Sequence, residues 1–211
     1  LKKETTRYLH PTYFMRKKDS GKLRFISDMT AINSKVRHQP INLPHIKDLI
    51  NSLAQSKHFT VLDISDAFHQ LPVKPEHTKY LGIATPFGQF TYQVAPMGFC
   101  NRPTYWQQYI ETALQDVIGN EVSVYMDDIV VHTQGTLSEH NSLVDKVLAI
   151  LDKHNLKCNA DKCKFNAKTF KFLGHLIRVL DDGVSVEITS DYKSAIQNLS
   201  PPRTLKHLQR I

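Results

Sequence analysis

Two rhythms of apolar residues alternate along the chain. In "TYFMRKKDSGKLRFISDMTAINSK" apolar positions flank a polar Asp-Ser-Gly, which predicts a β-hairpin with Lys17, Lys18 and Lys22 near its tip and Arg24 on the returning strand. In "PINLPHIKDLINSLAQSKHF" two prolines impose an extended approach, after which Ile46, Leu49, Ile50 and Leu53 recur at helical spacing. "HFTVLDIS" reads as a strand running into a polar, helix-like turn at "SDAFHQL", and "KYLGIATPFGQFTYQVAP" as two short strands joined at "PFGQ".

Pro103 suits the first turn of a helix, "PTYWQQYIETALQDVI", with Tyr105, Trp106, Tyr109, Ile110, Ala113 and Leu114 on its apolar face. "VSVYMDDIVVHT" follows, apolar strand material on both sides of Asp127 and Asp128. Ser138 then caps a helix that buries Leu143, Val144, Val147, Leu148 and Leu151. "KTFKFLGHLIRV" and "VLDDGVSVE" supply further strands, and the remainder tends to helix. Helices and strand pairs are mixed rather than strictly alternating, which predicts an α+β fold, an antiparallel sheet with helices on one face, over a doubly wound parallel sheet. The tight "MDD" turn demands antiparallel pairing.

Composition permits one large domain or two small ones: 211 residues, 41% hydrophobic, enough for a real core. There is no run of 18 uncharged apolar residues, and "LKKETTRYLHPTYF" lacks the features of a signal peptide, so a soluble, intracellular setting is expected, without a membrane partner. The chain begins with Leu and ends in "PPRTLKHLQRI", which looks like a helix cut short, so a fragment of a longer chain is expected. Cys100, Cys158 and Cys163 are odd in number and lack zinc-knuckle spacing; they read as reduced thiols filling space.

Charge adds an asymmetry. Residues 1–60 hold 12 Lys and Arg against 4 Asp and Glu, whereas residues 61–211 hold 15 against 16. That is either the electrostatic footprint of a polyanion on the front half or an ordinary solvated basic face.

Asp127 and Asp128 raise the chemical question. Ionised carboxylates removed from water cost several kcal/mol or more without partners, on the order of tens in the idealised limit. Strands this apolar make a mere turn role for the pair the weaker reading. Asp63, ending "VLD", could join them if two strands deliver their aspartates to the same end of one sheet. Three such charges push one another toward protonation unless cations lie among them. Mg²⁺, a hard ion that takes oxygen ligands and bridges carboxylates to phosphates, is the natural candidate, and two such ions are the arrangement used in phosphoryl transfer.

"VLDISDAFHQLPV", "APMGFCNRPTYWQQ" and "VYMDDIVVHT", in that order, resemble the polymerase motifs of retroelement reverse transcriptases, most closely those of gypsy-type LTR retrotransposons. "LKCNADKCKF" and "FKFLGHLI" fit two later motifs, so the resemblance runs over residues 13–211. It implies a right-hand polymerase palm with an antiparallel sheet and packed helices, partial fingers, and the start of a thumb. The corresponding regions are 1–58 for fingers and the approach to the palm, 59–178 for the palm with a fingers-side insertion at 85–95, and 179–211 for the end of the palm and the truncated thumb.

By that likeness Asp63, Asp127 and Asp128 are the catalytic, metal-binding triad, holding two Mg²⁺ ions with Mn²⁺ as a substitute. Phe68 would be an aromatic gate against a ribose 2′-hydroxyl, selecting dNTPs. The resemblance puts the backbone of Asp66 and Ala67 at the triphosphate, Lys17 and Arg24 at the nucleotide's phosphates and base plane, and Met97 and Gly98 beneath the template base pair. Leu173, Gly174 and His175 would grip the primer terminus. Either Lys162 or Lys164 is the basic residue of the motif before that grip. Two departures stand out: Thr30 where arginine is usual, and Met97 in place of the retroviral glutamine.

The implied partners are an RNA or DNA template with its primer and dNTPs. The implied setting is a polyprotein with protease, RNase H and integrase regions, in cytoplasmic virus-like particles or the nucleus. Two other readings stay open, a retroelement fragment that binds primer–template without extending it and an RNA-dependent RNA polymerase; Phe68 and the "YMDD" setting speak against the latter.

Overall fold

The computed structural model describes residues 1–16, 21, 23–119, 121–199 and 201, without the side chains of Arg24 and Phe68. In chain order the elements are β1 (Lys2–Lys3), β2 (Leu9–His10), β3 (Thr12–Arg16), β4 (Leu23–Ser27), α1 (Thr30–Asn33), α2 (Ile46–Ser52) and β5 (His58–Asp63). A 3₁₀ turn (Ala67–Gln70), α3 (Pro75–Thr78), β6 (Gly82–Thr85), β7 (Gly88–Thr91) and α4 (Arg102–Ala113) follow. Then come β8 (Val122–Tyr125), β9 (Asp128–Thr133), α5 (Leu137–Lys153), β10 (Thr169–Phe172), β11 (His175–Leu180), β12 (Gly183–Ile188) and α6 (Ser190–Gln197). None of the described helices is long and apolar enough to cross a membrane.

Alternation along three strands builds the centre. β5, β9 and β8 form an antiparallel sheet in that order, and successive residues feed two different cores. Leu62, Ile129, Val131, Val122 and Val124 pack against Trp106 and Ile110 of α4 and Val144, Val147 and Leu151 of α5. Phe59, Val61 and Val130 face the opposite way, onto Leu53 after α2 and onto Phe170, Phe172 and Ile177 of a second sheet, β10-β11-β12. The α+β class and antiparallel pairing are as expected. The expected single covered face is corrected: the two long helices do share a face, but the other is closed by a sheet. Strands apolar at consecutive positions, as in "IVV", need cover on both sides.

The free edge of β5 is also covered. Residues 157–164 run antiparallel to it, with bridges Ile64↔Cys158 and Val61↔Lys164, and the Asn159 N–H donates to the Asp63 carbonyl at 2.8 Å. This segment has no strand pattern in sequence, yet it satisfies backbone groups that would otherwise stand open at the sheet's edge.

β1-β7-β6-β2 form a small mixed sheet and β3-β4 the predicted hairpin, of which Lys17, Lys18 and Lys22 lie outside the described residues.

The β8–β9 turn is the most constrained point in the sheet. Tyr125 pairs with Asp128, leaving Met126 and Asp127 as a two-residue loop, and Met126 has φ +54°. Glycine is the usual residue at a positive-φ first position in such hairpins, so Met126 is strained. Two adjacent residues of α4 hold it there: Trp106 Nε1 donates to the Met126 carbonyl at 3.0 Å, and the Met126 N–H donates to Gln107 Oε1 at 2.8 Å. This alters the expected face of α4. Thr104 and Gln107 are buried, whereas Tyr105 lies at the surface. The cap of α5 is corrected as well: Thr136, not Ser138, is the N-cap, in a reciprocal capping box with Glu139.

Two histidines are sealed in this sheet. His140 on α5 bonds Thr60 and Thr133 at 2.9 and 3.0 Å, and on the opposite face His132 bonds Ser56 and Ser123, each at 3.0 Å. Burial, with a smaller contribution from the charge of His140, pushes His132 down to about 4, and burial followed by the charge of His58 lowers His140. His132 is therefore neutral in the folded chain down to about pH 4, while the unfolded chain protonates it near pH 6.5. The contribution of His132 to stability is complete above that value and is lost as pH falls toward about 4. Urea unfolding at pH 7.5 and pH 5 is expected to differ by about 2 kcal/mol from His132 alone, and a His132→Gln variant should show a correspondingly flatter pH profile. Gln107→Leu strands the Met126 N–H beside an apolar group, and the same measurement at pH 7.5 should show a loss of about 1–3 kcal/mol.

Candidate active site

Register brings the acidic residues together. Asp63, the last residue of β5, pairs directly with Asp128, the first of β9, and Asp127 precedes it in the clamped turn. The Ile64 N–H donates to the Asp127 carbonyl at 3.2 Å, which ties the turn to the chain leaving β5. All three predicted aspartates thus stand at one end of one sheet.

The electrostatics follow from that placement. Burial raises Asp127 above the usual carboxylate range, the charges of Asp128 and Asp63 raise it further, and Arg102 and Lys162 partly oppose them. Asp128 is raised by burial and then by Asp63, against Lys162. Asp127 Oδ1 is buried and has no hydrogen-bond partner among the described residues. Asp63 is held differently: Lys162 Nζ donates to its Oδ1 at 3.1 Å and its Oδ2 at 3.3 Å.

Among the described residues no group of three or more His, Cys, Asp or Glu is drawn together closely enough to hold a metal ion. Lys162 holds Asp63, and the like charges of Asp127 and Asp128 repel each other. The donor set nonetheless fits a hard divalent cation. It consists of carboxylate oxygens, one of them buried without a partner, in a cluster whose members raise one another's proton affinity.

A cavity of about 190 Å³ opens beside them, with Asp63, Asp127, Arg102, Lys162, Asp66, Ala67 and Met97 among its lining residues. Asp66 has φ +41° and caps the 3₁₀ turn, and Ala67 is buried. Asp128 is adjacent but does not line this cavity. Gly98, φ +92°, is backed by the Ser27 carbonyl and Met29, and its own carbonyl accepts from Asn33 Nδ2 at 2.8 Å.

Other predicted residues lie elsewhere. Leu173 (φ +48°) and Gly174 (φ +78°) form the β10–β11 turn, where His175 Nδ1 lies 2.9 Å from the Leu173 carbonyl. None of the three lines the cavity. Arg24 sits on β4 opposite Met15, and Phe68 in the 3₁₀ turn, but their side chains, like the whole of Lys17, lie outside the described residues. Thr30, in the place where arginine is usual, donates through its hydroxyl and its N–H to Asp28 Oδ1. A larger apolar cavity of about 680 Å³, near Ile32, Leu81, Pro96 and Tyr105, includes none of the predicted site residues.

Two site residues come from the structure. Of the two lysines left open, Lys162 reaches Asp63 with its ammonium, while the backbone of Lys164 pairs with Val61. Arg102 was not among the expected residues: it is buried at the start of α4, lowered from its ordinary value by desolvation while the charge of Asp127 raises it. A cation in the first turn runs against the helix dipole, and "NRP" carries that signal in sequence.

Comparison with known proteins identifies the family and the fold. The family model described as reverse transcriptase (RNA-dependent DNA polymerase) matches residues 15–177. The Transposon Tf2-3 and Tf2-7 polyproteins of Schizosaccharomyces pombe are each 35% identical over 167 residues, 79% of this chain. The chain spans only 12% of the length of those relatives. Among solved structures, a foamy viral protease-reverse transcriptase in complex with dsDNA superposes with a TM-score of 0.78 at 30% identity, covering 99% of this chain and 42% of that one. The same enzyme type in complex with an RNA/DNA hybrid gives 0.77 at 28% identity, covering 99% and 27%. The α+β architecture is therefore that of a polymerase palm with partial fingers, and the chain belongs to the reverse transcriptase family.

Proposed function

We propose that this chain is the polymerase part of an LTR-retrotransposon polyprotein of gypsy type, and that it adds deoxynucleotides to a primer 3′-hydroxyl on an RNA or DNA template. The observation that carries the reading is the Asp63↔Asp128 register with Asp127 in the adjoining turn, which delivers three carboxylates to one sheet end beside a cavity. The Tf2 relatives, which are polyproteins, and the foamy viral complexes with dsDNA and an RNA/DNA hybrid support it.

Asp63, Asp127 and Asp128 would hold two Mg²⁺ ions, with Mn²⁺ as a substitute. When bound, the ions supply positive charge that favours ionisation of the primer hydroxyl and neutralises the triphosphate. The protein's own part is positioning. The clamped turn keeps Asp127 from following its repulsion out of the site, and Arg102 offsets part of that charge.

Asp66 and Ala67, on the cavity wall, would present their backbone to the triphosphate, and Met97, on the same wall, would lie with Gly98 beneath the template base pair. Phe68, one residue further on, would exclude the 2′-hydroxyl of an rNTP. Lys17 and Arg24 on the fingers hairpin would hold the nucleotide's phosphates, and the β10–β11 turn with Leu173, Gly174 and His175 would grip the primer end. In this reading residues 1–58 belong to the fingers and the approach to the palm, 59–178 to the palm with its insertion at 85–95, and 179–211 to the end of the palm and the thumb's beginning. Protease, RNase H and integrase regions would flank it in one polyprotein, working in virus-like particles or the nucleus.

Primer extension on poly(rA)·oligo(dT) with Mg²⁺ tests this. The chain should incorporate dTTP, Asp127→Asn should lose at least about a thousandfold in rate, in line with the removal of a principal charge-stabilising group, and Phe68→Ala should begin to accept rUTP. A folded chain that binds primer–template without extending it would refute the enzyme reading; equal use of rUTP and dTTP by the unaltered chain would refute the role of Phe68.

A further inference from the structure

Lys162 owes its place to backbone, not to chance contact of a long side chain. The bridges Ile64↔Cys158 and Val61↔Lys164 straddle Asp63, and Asn159 donates its N–H to the Asp63 carbonyl. The segment then turns tightly: the Asp161 N–H donates to Asn159 Oδ1 at 3.2 Å and the Lys162 N–H to the Asn159 carbonyl at 3.0 Å. Lys162 is left beside the Asp63 carboxylate with its ammonium spanning both oxygens.

The contact is bidentate yet shallow. The Lys162 side chain is 63% exposed, against 22% for Asp63. An ammonium on a flexible, solvated stem is held weakly, and such a pair contributes little stability. It nevertheless puts a full positive charge on one of the three carboxylates, while the buried Asp127 Oδ1 beside it has no partner among the described residues.

We propose that Lys162 is a tethered stand-in for a divalent cation: its ammonium occupies Asp63 in the metal-free chain and must leave that carboxylate when a cation enters, so Lys162 sets the site's affinity for metal. This rests on the reading of Asp63, Asp127 and Asp128 as a cation site. It accounts for two observations together, that Asp63 is held by Lys162 while Asp127 Oδ1 has no hydrogen-bond partner among the described residues, and that the three carboxylates are not gathered into a cage. The exchange requires no rearrangement of the sheet, because the 157–164 backbone stays bonded to β5 while only the lysine stem swings. The residue acts through Asp63, as a positioning group.

Mn²⁺ binding to the chain without nucleotide or nucleic acid, read from the free-ion electron paramagnetic resonance signal, tests this. Lys162→Met should bind Mn²⁺ about tenfold more tightly than the unaltered chain, the lower end of the range for an opposite charge at this distance, given the exposure of the pair. Lys162→Arg, which keeps the charge, should bind no more tightly than the unaltered chain. Asp127→Asn should lose the binding in each background, locating the ion at the aspartates. Equal affinity of the Lys162→Met and unaltered chains, with binding still dependent on Asp127, overturns the role of Lys162 and leaves the cation site standing. Binding that is absent throughout, or indifferent to Asp127→Asn, overturns the cation site and this proposal with it. Lys162 is on the surface, and unchanged circular dichroism of the variants would confirm that affinity, not folding, is being compared.

Discussion

Carboxylates that share the end of a buried sheet repel one another, and in most proteins the chain relieves that repulsion by turning them out to solvent. Here it cannot. β5 and β9 are apolar on both faces, so slipping either strand by one residue would exchange Leu62 and Ile129 in one core for Val61 and Val130 in the other and misplace Phe59. The Asp63↔Asp128 pairing is therefore fixed by packing far from the charges themselves. Met126, strained and gripped from α4, removes the remaining freedom at Asp127. The rest of the site answers this constraint: Arg102 buried at a helix start, Lys162 brought in along an edge segment, and an open cavity between them.

Much of this was legible in the sequence where a local pattern carries it. The "VSVYMDDIVVHT" hairpin, α2 and the body of α5 follow from periodicity and turn residues that need no tertiary help, whereas "KTFKFLGHLIRV", which alternates like a single strand, turns back at Leu173 and Gly174 to give β10 and β11. What escaped depends on partners distant in the chain. Gln107 and Thr104 are polar and read as surface, yet they are buried, Gln107 because a backbone N–H 19 residues away needs an acceptor. Thr136 outcompetes Ser138 as a cap because Glu139 lies three residues after it and closes a reciprocal pair that Ser138 cannot form.

The site divides in the same way. Asp127 and Asp128 declare themselves by charge within apolar flanks, and Asp63 joins them through strand register, which sequence resemblance supplied and the sheet then displayed. Lys162 and Lys164 are equivalent in sequence; the contact of the Lys162 ammonium with Asp63 separates them. Arg102 was missed because a lone arginine before a proline looks like solvent-facing punctuation. The pairing of β3 with β4 was legible from the apolar positions that flank the turn residues, whereas Lys17 and the Arg24 side chain, expected to touch the nucleotide, lie outside the described residues.

The central claim is that the three aspartates are kept in mutual repulsion by the fold and relieved by a divalent cation. Thermal unfolding of the chain and of Asp127→Asn, each in EDTA and in Mg²⁺, tests it most directly. Without metal, Asp127→Asn should melt higher by about 2–4 °C, the shift expected for roughly 1 kcal/mol of relieved charge in a chain of this size. Mg²⁺ should raise the melting point of the unaltered chain and leave that of the variant where it was. A variant that melts lower than the unaltered chain in EDTA, with both responding equally to Mg²⁺, would contradict the account.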